Sequence, residues 1–174
     1  FSVHLQIVRI SNDDGSEMAN ISPDDVIRQV NFANDLLASS SIRFVFDPQT
    51  DVDLAQSSVI ANMLTPDNPD WQAGMEAGDA IAAKYPGKIT VLVRSKPILE
   101  PTQSAGFLWW DYNFAIVSLT QTQTCAQQDN SIILHALGHY LGLGNTYPEA
   151  YADADAAAAA YEESGYSLSA FDGD

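Results

Sequence analysis

A single cysteine, Cys125, stands among the 174 residues, so no disulfide can form within the chain. Cationic side chains are scarce: Lys and Arg total 7 against 23 Asp and Glu, a formal net charge of −16 at pH 7. Phosphate backbones and anionic membranes repel such a surface, which argues against nucleic acid and lipid as partners. The scarcity is also uneven. Residues 1–96 hold all 7 cations and 13 of the acids, while residues 97–174 hold 10 acids and no Lys or Arg. That second stretch must solvate its carboxylates, pair them across the fold or bind metal cations. No apolar run approaches the roughly 18–20 residues of a membrane-spanning helix. No charged segment leading into an apolar one opens the chain at Phe1-Ser2-Val3-His4, so the expectation is that a secretion signal was removed or never existed. What is present, 46% hydrophobic and 10% aromatic residues, is enough for one domain with a core, or one domain with a small appended lobe.

Val3, Leu5, Ile7, Val8 and Ile10 read as an opening strand, closed by the turn cluster from Ser11 to Gly15. Ser22-Pro23-Asp24-Asp25 then places an N-cap, a proline at the first helical position and acids in the first turn. Val26, Val30, Ala33, Leu36 and Leu37 follow at helical spacing. Ile42 to Phe46 is a short strand, so the chain opens as β-α-β with parallel outer strands. Residues 48–70, polar and carrying three prolines, read as a long surface connection with one helical turn near Ser57 to Met63. A second helix is predicted from about Asp70 to Tyr85, then a buried strand from Ile89 to Val93. Gly106 to Tyr112 and Phe114 to Leu119 read as two strands joined by a tight turn. Ser131 to Gly142, the most apolar stretch, reads as a buried helix capped by Asn130 or Ser131 and stopped by Gly142. Glu149 to Glu163 favours helix.

His135 and His139 lie four residues apart on that apolar helix, so both imidazoles leave one face a turn apart and can reach one metal ion. Spacing alone equally fits two hydrogen-bonded core histidines. Gly142 permits a sharp exit that would swing position 145 back toward the same point, and position 145 is Asn, a weak ligand beside imidazole or carboxylate.

The full string from His135 to Tyr147, His-Ala-Leu-Gly-His-Tyr-Leu-Gly-Leu-Gly-Asn-Thr-Tyr, resembles the extended HExxHxxGxxH signature of metzincin-clan zinc metalloproteases, most closely its pappalysin-type form. The element order over about residues 1–147 is compatible with the N-terminal subdomain of that family, although many α/β chains share it. The resemblance implies an α+β fold: a mixed, twisted sheet of about five strands, a backing helix and a zinc-binding active-site helix. Residues 1–145 would form the N-terminal catalytic subdomain and residues 146–174 the start of a C-terminal one. It also implies a secreted endopeptidase that hydrolyses peptide bonds in proteins with water activated on zinc. His135 and His139 would be ligands and Asn145 would stand in the third ligand's place. Gly106, Phe107, Leu108 and Trp109 would form the edge strand that pairs with an extended substrate.

Two residues depart from that pattern. Ala136 occupies the place of the glutamate that acts as general base, and a methyl group can neither accept nor donate a proton. The chain is therefore expected to bind metal and peptide without turning over. Either the alanine was introduced to trap an inactive form, the origin favoured by the otherwise catalytic look of the helix, or the chain is a natural pseudoprotease. Asn145 replaces the third histidine, and Glu149, Asp153 or Asp155 could complete the site instead. The family closes its site with a methionine turn, yet the last methionine here is Met75. The chain is therefore expected to continue beyond Asp174, through an acidic stretch suited to calcium, and to have been made with a pro-segment. The rival readings are a non-catalytic peptide-binding module and an acidic extracellular domain in which calcium matters more than zinc. His4 is expected to be a strand residue rather than a ligand.

Overall fold

The computed structural model describes residues 1–63, 70–95, 105–107, 113–119 and 132–141, and of 105–107 and 139 the backbone. These residues belong to one unit, Phe1–Gly142. Strand β1 (Ser2–Ser11) lies inside a six-stranded sheet that also contains β2 (Arg43–Val45), β3 (Val52–Gln56), β4 (Lys88–Arg94), β5 (Ala105–Phe107) and β6 (Phe114–Ser118). The order is β2-β1-β4-β6-β5, with β3 also paired to β1. All pairings are parallel except β5 with β6, which sets Gly106 opposite Val117 and Phe107 opposite Ile116.

Parallel strands covered on both faces read as nearly continuous apolar runs, and β1, β4 and β6 do so. Leu5 and Ile7 of β1 face one core with Ile89, Val91, Val93, Ala115 and Val117. Val8 and Ile10 face the other with Leu92, Phe114 and Ile116. The first core is covered by α1 (Pro23–Leu36) and α4 (Ile132–Tyr140), the second by α2 (Ser58–Asn62) and α3 (Trp71–Ala82). The expected mixed α+β character holds, with one strand more than the five expected.

The extra strand is β3, inside the stretch read as a surface connection. It continues along the edge of β1 that β2 begins: β2 pairs residues 2–4 and β3 pairs residues 7–11. Its own sequence hides it, because it is a five-residue, largely exposed run with only Val52 and Leu54 alternating around Asp53 inside a polar stretch. Pairing to β1 makes it a strand, and polar contacts fix the interruption before it. The Asp51 carbonyl accepts from the Ile7 amide at 2.8 Å, and its carboxylate accepts from the Lys88 ammonium at 2.6 Å and the Asp47 amide at 2.7 Å.

Helix α1 begins as its sequence signals. The Ser22 hydroxyl accepts from the Asp25 amide at 3.2 Å, the Asp25 carboxylate accepts from the Ser22 amide at 3.1 Å, and Pro23 occupies the first turn. On the opposite face, α2 ends against fully buried Arg94 of β4. Its guanidinium donates to the Ile60 carbonyl at 3.0 Å, to the Met63 carbonyl, and to the Ser118 hydroxyl at 2.7 Å. A cation at the last carbonyls suits the negative end of a helix. Burial lowers the Arg94 pKa to about 10, which leaves it charged at neutral pH.

Candidate metal centre

Helix α4 carries the two histidines and packs against α1, β5 and β6. Its apolar face is Ile132, Ile133, Ala136 and Leu137, which join Val26, Val30 and Ala33 of α1 in the first core. The helix expected to be buried is buried along one face. His135 and Leu141 are exposed, while Leu134, Gly138 and Tyr140 are half-buried. Nine apolar-rich residues look uniformly apolar along the sequence, but the 3.6-residue period turns some of them away from the face that packs on α1, β5 and β6. His135 thus stands on an accessible surface, and residue 139 follows one turn later on the same helix. An exposed imidazole at this spacing fits a divalent metal of the zinc type.

Ala136, expected from the resemblance to stand in the general-base place, has no exposed surface. A carboxyl group introduced there would leave the chain from a covered β-carbon, and burial favours its neutral form, raising its pKa toward the neutral range. Burying such a group lowers the stability of the fold. With alanine present the helix holds no proton-transfer group at this position.

The edge expected for substrate pairing lies beside this helix. Gly106 and Phe107 are in β5, the last strand in the sheet order, with β6 on one side and no strand on the other among the described residues. Leu108 and Trp109, expected in the same edge, lie outside the described residues, as do Cys125, the Asn130 and Ser131 caps, Gly142, Asn145, Glu149, Asp153, Asp155 and the helix expected from Glu149 to Glu163. Among the described residues no three His, Cys, Asp or Glu side chains gather to hold a metal ion. His4 lies exposed in β1 opposite Val45 and Lys88.

One residue at this centre escaped the sequence reading. The Gln29 side-chain oxygen of α1 accepts from the backbone amide of Ile133 in the first turn of α4 at 3.0 Å, and Gln29 is 1% exposed. Its signal was a polar residue set into the apolar stripe of Val26, Val30 and Ala33, where a solvent-facing glutamine is not expected.

No protein-family model matches the chain, and no curated protein matches it significantly. No helix among the described residues is long and apolar enough to cross a membrane.

Proposed function

We propose that this chain is the N-terminal catalytic part of a secreted, pappalysin-like zinc endopeptidase, present in a form that lacks its general base. The observation that carries this reading is the exposed His135 of α4, one turn before His139, on a helix that packs against β5, which has no strand on its outer side among the described residues. His135 and His139 would hold the metal, and Asn145 stands where the third ligand would be. Zinc, when bound there, supplies a Lewis acid that polarises the scissile carbonyl and acidifies a water molecule. The Gly106–Phe107 backbone offers amide and carbonyl groups that hold an extended peptide alongside the helix. Ala136 leaves the proton of the attacking water without an acceptor, so hydrolysis stalls. Calcium in the acidic residues toward the C-terminus would offset part of the −16 charge.

The test is metal content followed by reversion. The 174-residue chain is expected to retain zinc, to lose it on His139→Ala, and to gain chelator-sensitive peptide cleavage on Ala136→Glu. An Ala136→Glu protein that holds zinc and cleaves no protein substrate in the full-length gene product overturns the enzyme reading.

A second reading draws on the complete burial of Ala136. A small residue filling a covered place in the core is what a natural non-catalytic module would keep, with the β5 edge binding peptide and no reaction following. Under this reading Ala136→Glu destabilises the fold without adding activity. Calcium bound in place of zinc would point instead to an acidic, cation-binding extracellular domain.

A further inference from the structure

Helix α4 is short, nine residues from Ile132 to Tyr140, and a helix of that length has little stability of its own in water. Its opening amides have no partners within the helix and need acceptors from elsewhere. At Ile133 that acceptor is not local. It is the side-chain oxygen of Gln29, which reaches across from α1 at 3.0 Å between residues separated by 104 positions in sequence. The bond is buried, Gln29 being 1% exposed and Ile133 also 1%, so water cannot take its place.

His135 sits two residues after Ile133, still in the first turn, whereas His139 sits in the turn that follows. The spacing that lets two imidazoles reach one ion exists only while this first turn is helical. A first turn that unwinds carries His135 off the helix and leaves the second turn intact. Whatever holds the Ile133 amide therefore holds the relation between the two ligands.

From this geometry we infer that Gln29 is the positioning residue of the metal helix, fixing the first turn of α4 so that His135 and His139 present a preformed pair to the ion. The inference rests on the zinc reading above. Gln29 acts through the backbone of α4, as outer partners of metal ligands do when they set ligand orientation.

The experiment measures Zn²⁺ affinity, by competition with a chromophoric chelator, for the 174-residue chain and for Gln29→Leu, Gln29→Glu and Leu92→Ala. Leucine is close to glutamine in volume and cannot accept a hydrogen bond. Glutamate keeps the acceptor and suits a helix N-terminus. Leu92→Ala damages the opposite core and serves as the control for lost stability alone. The expected result is that Gln29→Leu weakens Zn²⁺ binding by about 10–100-fold, that Gln29→Glu recovers most of it, and that Leu92→Ala lowers the melting temperature while leaving Zn²⁺ affinity unchanged. Gln29→Asn, one methylene too short to reach, carries the same expectation as leucine if the leucine variant does not fold. Wild-type affinity in Gln29→Leu or Gln29→Asn, or an equal loss in Leu92→Ala, overturns the role of Gln29 while the zinc reading stands. Absence of Zn²⁺ binding by the unsubstituted chain overturns the zinc reading itself and this inference with it.

Discussion

Gly78 of α3 faces Phe114 so closely that a β-carbon there would lie 2.4 Å from the ring, with two further ring carbons at 2.8 Å. The ring is 1% exposed in the second core and cannot turn away. Gly78→Ala is therefore expected to destabilise the fold by about 1–3 kcal/mol, the usual range for overpacking, despite the better helix propensity of alanine. A β-carbon at Gly74 would instead meet the Met63 sulfur, 2.5 Å away. A flexible thioether can move, so Gly74→Ala should fall near zero, and paired denaturant melts would show the contrast. Equal losses at the two positions would contradict this account of how α3 sits. At Ala136 the expectations are a loss and a gain together. A glutamate there should lower stability by about 1–3 kcal/mol through burial of a polar group, and should raise peptide hydrolysis by about 10²–10⁴-fold if it restores a general base. A stability loss without any gain in rate would favour the non-catalytic module.

Among the elements, the interrupted edge β2/β3 depends on charge. Asp51 is pushed upward in pKa by burial, but hydrogen bonds from Lys88, the Asp47 amide and Thr50 outweigh this and hold it below its ordinary value of 3.8. A carboxylate with a depressed pKa contributes stability that is fully present above that ordinary value and is lost as pH falls through the depressed one. Asp51→Asn is expected to cost about 1–3 kcal/mol at pH 7 by weakening charge-assisted bonds, and to flatten the fall in stability on acidification below pH 3.8. An unchanged acid limb would remove Asp51 from the explanation. This same edge marks where the sequence stopped being informative. Helix α1 announced itself because its cap, its proline and its apolar stripe are local signals. Strand β3 did not, because its short Val52–Leu54 alternation is exposed and too brief to stand out, and it exists through its register with β1. Helix α4 was legible as a helix with histidines at metal spacing, yet its one-sided burial was not, since that depends on which neighbours the sheet supplies. Gln29 left only the faint sign of a polar residue in an apolar stripe, and its acceptor role needed the packing of α1 on α4 to become visible.

Taken as a whole, the molecule places its acid-rich, cation-free region at residues 97–174, and the histidine helix α4 and strand β5 both belong to that region. Its first core, between the sheet and the α1–α4 layer, is what carries the histidine helix. Its second core, under α2 and α3, stabilises the sheet from behind. The two cores offer independent handles: substitutions in the second should change stability without altering metal affinity, and substitutions at the α1–α4 contact should change both. That separation turns the functional reading into a question about metal rather than about fold.

The most direct test is the zinc content of the purified 174-residue chain beside His135→Ala and His139→Ala, measured by elemental analysis after dialysis against metal-free buffer. The account predicts stoichiometric zinc in the unsubstituted chain and loss of it in both variants, with each variant still folded. No zinc in the unsubstituted chain, calcium in its place, or zinc undiminished by either substitution would contradict it.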